Sequence, residues 1–126
     1  MKHLLIIFSF LFLLSYQTIA NSLIGKSIIC ELRNTDTLYA NFKSEDRWTK
    51  FYFRDYSIYT LEYTYNADLK EITLFDGGEI YYINRKDLSW TVMGRGIGNC
   101  QVYNSKEELI KIMNNEIEQS KSQNKL

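Results

Sequence analysis

Short segments in which apolar and polar residues alternate follow one another along most of the chain. Side chains of a β-strand point alternately to the two sides of a sheet, so this alternation predicts strands with one buried face. The segments are rich in Ile, Thr, Tyr, Phe and Trp, which favour strands. They span residues 28–33, 38–43, 47–54, 57–65, 69–75, 79–84, 88–93 and 99–103. About eight strands are therefore predicted.

The connections between these segments are short and consist mainly of turn-forming residues. Asp76-Gly77 is the strongest hairpin signal, because glycine tolerates the positive φ that tight turns require. Parallel neighbours need crossovers of a dozen residues or more, so the strands should pair sequentially and antiparallel. The predicted fold class is mainly β: a small antiparallel meander forming a closed or nearly closed barrel, with a C-terminal helix. An open sheet and a two-sheet sandwich remain alternatives.

The two cysteines lie in the first and the last predicted strand, at Cys30 and Cys100. Closing a meander brings these strands together, and a disulfide there would join the barrel seam. On the chain-entropy model, closing a loop of this length stabilises a fold by about 4 kcal/mol. Free thiols or half of a metal site are the alternatives. A zinc site lacks both CxxC spacing and a histidine after His3, so we predict no metal.

Residues 1–20 have the layout of a secretory signal peptide. A short basic start precedes an apolar run from Leu4 to Tyr16, and Thr18 and Ala20 are small residues before Asn21. The run is short for a membrane span, which needs about 20 apolar residues. We therefore expect cleavage, no stable membrane span afterwards and a periplasmic or secreted protein. An uncleaved anchor is the alternative.

The chain that remains after residue 20 is nearly neutral, with 14 basic and 15 acidic side chains once Lys2 is removed. A protein without a strong positive field does not attract nucleic acid, so no nucleic-acid partner is predicted. Residues 21–119 are predicted to form one domain. Ser105 and Glu108 fit a capping box that opens a helix over 105–119. The polar tail 120–126 is predicted to be disordered.

The chain after residue 20 lacks residues that most enzyme mechanisms need. The only histidine is His3, so a Ser-His-Asp or Cys-His arrangement cannot form after cleavage. Gly94 to Gly98 resembles a phosphate-binding loop but precedes a strand, which favours a hairpin loop. No catalytic residue and no cofactor are predicted. A carboxylate pair for glycan hydrolysis remains an alternative, drawn from Asp46, Asp55, Glu62, Asp68, Glu71, Asp76 and Glu79.

Aromatic residues are the main candidates for binding. Large rings fill the interior of small barrels efficiently, so most of them are expected in the core or half-buried on the wall. Tyr59 and Tyr63 share a strand face with Leu61 and Tyr65, and we expect this face to point inward because Glu62 and Thr60 on the other face prefer water. The predicted binding residues are Tyr59, Tyr63, Tyr82, Trp90 and Arg95.

The chain resembles small exported proteins of AT-rich marine alphaproteobacteria, which have no assigned function. The resemblance rests on the signal peptide, Ile28-Ile29-Cys30-Glu31, Ile83-Asn84-Arg85-Lys86-Asp87-Leu88, the late Cys100 and the closing helix. Asp87 departs from the Thr expected there. The resemblance implies a periplasmic setting and no activity. In overall shape the chain is also similar to periplasmic lysozyme-inhibitor barrels and lipocalin-like barrels, although the inhibitory loop motifs are not visible.

These observations favour a non-catalytic periplasmic or secreted binding protein. It would use an aromatic-rich barrel face or cavity to bind a small apolar ligand or an envelope protein. The alternatives are a carboxylate-based glycan hydrolase and a structural envelope component that self-associates through an uncovered strand edge. The oligomeric state does not follow from the sequence.

Overall fold

The computed structural model describes residues 23–32, 37–92 and 95–123. The predicted signal peptide and the last three residues lie outside the described residues. Within these residues, eight strands precede one helix, as the alternation predicts. They are β1 (Ser27–Leu32), β2 (Thr37–Phe42), β3 (Arg47–Arg54), β4 (Ser57–Ala67), β5 (Glu71–Asp76), β6 (Glu79–Asn84), β7 (Ser89–Val92), β8 (Arg95–Tyr103) and α1 (Lys106–Gln123).

The strands form a closed antiparallel barrel in sequential order, which confirms the predicted fold class. The barrel closes where β8 pairs with β1, and Cys30 lies directly opposite Cys100 in this register. The two cysteines form a disulfide across the seam. The predicted pairing is therefore confirmed, and the described residues include no free cysteine.

The barrel interior is filled by large side chains from all eight strands. Trp48 and Phe42 are fully buried, and Trp48 packs against Tyr63 and Tyr81 at ring-centroid distances of 5.7 and 6.3 Å. Tyr65 packs edge-on against Phe42 at 5.1 Å. These rings make the interior a packed core, as expected for a small barrel.

Helix α1 lies against the outer wall of the barrel. Leu109 and Met113 are buried among Ile29, Tyr39 and Phe51, which face outward from β1, β2 and β3. The capping interaction is present, because the Glu108 amide donates to Ser105 Oγ at 3.1 Å. Within the described part of the chain, no helix has the length and apolar character needed to cross a membrane.

The helix ends at Gln123. Residues 120–123 are therefore helical, and the prediction of a disordered tail is wrong for them. The segment contains no Gly or Pro that would stop a helix. Lys121 also lies 6.0 Å from the centre of the Tyr56 ring and 3.6 Å from the Glu118 carboxylate. The pair with Glu118 lies within the helix, whereas the contact with Tyr56 joins the last turn to the turn between β3 and β4 and has no signal in the sequence.

Strand β4 is the longest strand and extends past its neighbour β5. It pairs with β3 from Ser57 to Thr64, but its register with β5 begins only at Tyr65. The projecting hairpin segment, residues 50–62, is called the arm below. Asp55 and Tyr56 form its tip and both have positive φ, 52° and 62°, as a type I′ turn requires.

Candidate functional site

The inner face of the arm is open to solvent and carries apolar side chains beside the charged Lys50 and Arg54. Tyr52 and Tyr59 stack there with ring centroids 5.8 Å apart and an interplanar angle of 26°. Tyr59 is 44% exposed and the adjacent Leu61 is 45% exposed. Isolated exposed apolar side chains are ordinary, but a stacked pair beside an exposed leucine forms a continuous surface that another molecule can cover.

This surface continues the barrel interior along a single strand. Tyr65, on the same face of β4 as Tyr59, is 2% exposed and donates its hydroxyl to the Ser44 carbonyl at 2.6 Å. Tyr63 between them is half-buried against the core. The tyrosines predicted to point inward therefore share one face of β4, but only the C-terminal half of this face, at Tyr63 and Tyr65, is covered.

A polar cluster joins the base of the arm to the β5–β6 hairpin. Asp76 Oδ2 accepts from Lys50 Nζ at 2.5 Å and from the Tyr81 hydroxyl at 2.8 Å. The same hydroxyl lies 2.9 Å from Glu79 Oε2. One hydroxyl hydrogen serves two acceptors, so it donates to one carboxylate at a time. Burial, followed by hydrogen bonding to Asp76, raises the pKa of Tyr81.

The cluster also explains why β5 leaves β4. Beyond the ladder between them, the Trp48 indole donates to the Phe75 carbonyl at 3.0 Å. Lys50 then holds Asp76 from the arm side, and the Tyr63 ring lies against the Gly77 turn. Side chains thus replace backbone pairing here, and the arm is attached firmly at its base.

The outer face of the arm is covered only in part, since Thr60 and Glu62 on this face are exposed. Phe51 is buried beneath α1, and Phe53 packs edge-on against Tyr39 at 5.4 Å. A pocket of about 440 Å³ remains between the arm tip and the helix. Its lining mixes apolar and charged side chains: Phe53, Arg54, Asp55, Tyr56, Glu116, Ile117 and Ser120.

The structure brings only two of the predicted binding residues together. Tyr59 and Tyr63 share the inner face of β4, whereas Tyr82 lies on the outer wall because its neighbour Tyr81 points inward. Trp90 is 2% exposed and its indole donates to the Glu31 carbonyl at 3.1 Å, which is a core position. Arg95 begins β8, and its side chain lies outside the described residues.

Two residues of the exposed surface, Tyr52 and Leu61, were not among the predicted binding residues. A two-residue turn at Asp55-Tyr56 places Arg54 opposite Ser57, and counting back from this pair puts Tyr52 opposite Tyr59. That register was available from the sequence. The exposure of the pair was not, because it depends on where β5 separates from β4.

No group of three metal-ligating side chains converges among the residues for which the structure gives positions. No protein family, curated protein or solved structure was found to match this chain. The resemblances to exported alphaproteobacterial proteins, lysozyme-inhibitor barrels and lipocalin-like barrels therefore stay predictions.

Proposed function

We propose that this protein is a non-catalytic, extracytoplasmic binding protein that contacts an envelope protein through the inner face of its arm. The observation that carries the proposal is the change of environment along β4. The same strand face fills the core at Tyr65 and is bare at Tyr59 and Leu61. Apolar side chains exposed on a well-anchored element are typical of contact surfaces.

A protein target fits this surface better than a small apolar ligand. A lipocalin-like binder holds its ligand inside the barrel, but here Trp48, Trp90 and Phe42 occupy the interior. The stacked tyrosines lie instead on an open, projecting surface. Tyrosine is enriched at protein interfaces because it offers a large apolar ring with little conformational freedom to lose.

The arm is also held in one position before any partner arrives. Lys50 binds Asp76 at its base, α1 covers Phe51 on its outer face, and Lys121 lies over the Tyr56 ring at its tip. A preorganised surface loses less conformational entropy on binding. The disulfide and the predicted leader peptide support a site of action outside the cytoplasm.

Photo-cross-linking in the native host tests this proposal. Benzoylphenylalanine replaces Tyr59 or Leu61 on the arm, and a control carries it at Lys86, which is exposed in the turn between β6 and β7. We expect adducts with one other envelope protein from both arm positions and none from position 86. Adducts of the same kind from all three positions, or no adduct with another protein from the arm, would contradict the proposal.

A carboxylate-based glycan hydrolase is the second candidate, favoured by one observation. Asp76 and Glu79 both lie within hydrogen-bond distance of the Tyr81 hydroxyl, so two carboxylates converge beside an aromatic surface. Against it, the hydroxyl occupies the space between them and Lys50 binds Asp76. Turnover of a labelled envelope glycan that is lost in both Asp76→Asn and Glu79→Gln would establish the hydrolase and displace the binding proposal.

A further inference from the structure

We propose that the free edge of β4 pairs with the same edge of a second copy of this chain, forming a two-fold symmetric antiparallel dimer. The edge is the side of β4 that faces away from β3 between Ile58 and Glu62. The ladder to β5 starts only at Tyr65. This inference goes beyond the proposed function, because it concerns the strand edge and not the face of the arm. The two are linked, since Tyr59 and Leu61 of the proposed contact face lie along this edge and edge pairing is also the sign expected of a structural envelope component.

The direction of the backbone groups follows from the hairpin register. The Tyr65 amide donates to the Asp46 carbonyl at 3.0 Å, so the N–H and C=O of Tyr65 point toward β3. Backbone groups alternate along a strand, and those of Tyr63, Leu61 and Tyr59 therefore also point toward β3. The groups of Ile58, Thr60 and Glu62 point to the open side.

This free edge is complementary to itself when the two-fold axis passes between the two Thr60 residues. A rotation axis perpendicular to the sheet reverses the strand direction and keeps the inner faces on one side. Thr60 then pairs with Thr60 of the second copy, and Ile58 pairs with Glu62 of the second copy. Three pairs exchanging two bonds each make about six hydrogen bonds, which use every outward backbone group from Ile58 to Glu62.

The side chains agree with this register on both faces. On the inner face, Tyr59 lies opposite Leu61 of the second copy, so the two apolar side chains lie next to each other across the pair of strands. On the outer face, Glu62 forms an ion pair with Lys43 of its own chain. The register places Glu62 opposite Ile58 of the second copy, so the two carboxylates do not face each other.

The sequence of the edge has little that blocks such pairing. Natural edge strands are protected by proline, charged side chains or a bulge. The segment Ser57–Thr64 has no proline and its pairing with β3 is unbroken, and its one charged side chain, Glu62, is ion-paired with Lys43 of its own chain. Because only five residues of each copy are paired, the interface is small, and we expect association that depends on concentration.

Disulfide trapping tests the register directly. In Thr60→Cys, the new cysteines face each other at a Cα separation of about 5.5 Å, within the range that a disulfide spans. Ser57→Cys is the matched control, because residue 57 of one copy lies about 20 Å from residue 57 of the other. With the native disulfide already formed, mild oxidation should give covalent dimer from Thr60→Cys at least about tenfold faster, linked through residue 60.

Sedimentation of the unmodified chain provides a second, independent measurement. We expect the weight-average mass to rise toward twice the chain mass at concentrations up to about 1 mM. Thr60→Lys should remain monomeric with an unchanged circular dichroism spectrum, since it opposes two ammonium groups across the axis. Equal trapping of both cysteine variants, or a monomer at every concentration, would overturn the proposal. Trapping of a different protein by Thr60→Cys in host extract, in place of homodimer, would also overturn it.

Discussion

The body of the barrel and the arm are built from the same strand but are stabilised differently. In the body, Tyr65 of β4 is buried among rings and β4 has a neighbour on each side. In the arm, Tyr59 of β4 lies on a bare inner face beside one free edge, and the outer face behind it is only partly covered. The comparison shows that a strand's alternation fixes which side chains share a face, whereas the length of the neighbouring strands decides whether that face is covered.

Removal of the disulfide should have the largest effect, and it acts on the body. In Cys30→Ala with Cys100→Ala, the free energy of unfolding should fall by about 4 kcal/mol, because the unfolded chain regains the freedom that the loop closure removed. Urea denaturation monitored by tryptophan fluorescence measures this change. A loss below about 1 kcal/mol would mean that the seam is held by its ladder and core alone.

Two tyrosines on one strand face provide the most direct contrast between the regions. Tyr65→Ala should lower the free energy of unfolding by about 3 kcal/mol, since it leaves a cavity and an unpaired Ser44 carbonyl. Tyr59→Ala should lower it by less than about 1 kcal/mol, because its ring is largely exposed. Equal losses from the same denaturation experiment would show that the arm face is part of the core.

Glycine substitutions sharpen the contrast between the barrel seam and a free turn. A Cβ at Gly98 would overlap the Glu31 carbonyl oxygen and the Trp90 indole, whereas a Cβ at Gly78 meets nothing within 4 Å. Gly98→Ala should therefore destabilise the fold by roughly 2 kcal/mol or more, and Gly78→Ala should be close to neutral. Thermal unfolding compares the two. A tolerated Gly98→Ala would contradict the close β1–β8 contact.

The smallest expected effect concerns the outer wall of the barrel beneath α1, where Tyr39 of β2 donates to Glu116 at 2.6 Å. Burial, followed by the Glu116 carboxylate, raises the pKa of Tyr39. The unfolded chain then loses the tyrosine proton first, so this contribution is present below pH about 10 and falls as the pH rises further. Tyr39→Phe should lower stability by about 1 kcal/mol at neutral pH and flatten its decline in alkali. An unchanged alkaline decline would contradict this origin.

The fold was predictable because its determinants are local. Alternation indicated eight strands, short turns required antiparallel neighbours, and Cys30 and Cys100 indicated which strands meet. Strand ends were less accurate: β5 was expected from Leu69 but begins at Glu71. The Asp68 carboxylate accepts from the amides of Lys70 and Glu71, each at 2.8 Å, and this turn delays the strand.

The candidate site was only partly predictable. The common face of Tyr59 and Tyr63 follows from their spacing, and this prediction agrees with the register. The exposure of Tyr59 depends on long-range contacts, namely the indole of Trp48 with the Phe75 carbonyl and the ion pair of Lys50 with Asp76. Such contacts have no signal in a single sequence. Trp90 was predicted to bind because of its large ring, but the ring is buried where β7 pairs with the closing strand β8.

Amide hydrogen exchange along β4, measured by NMR on dilute monomeric protein, tests the division into body and arm most directly. The amides of Tyr59 and Leu61 point toward β3 and should exchange slowly, whereas those of Thr60 and Glu62 should exchange at least about a hundredfold faster. The amides of Tyr65, which donates to the Asp46 carbonyl, and of Asn66, which pairs with Thr73 of β5, should both be protected. Uniform protection from Ile58 to Asn66 would mean that the edge is covered, and the account of a projecting arm would be wrong.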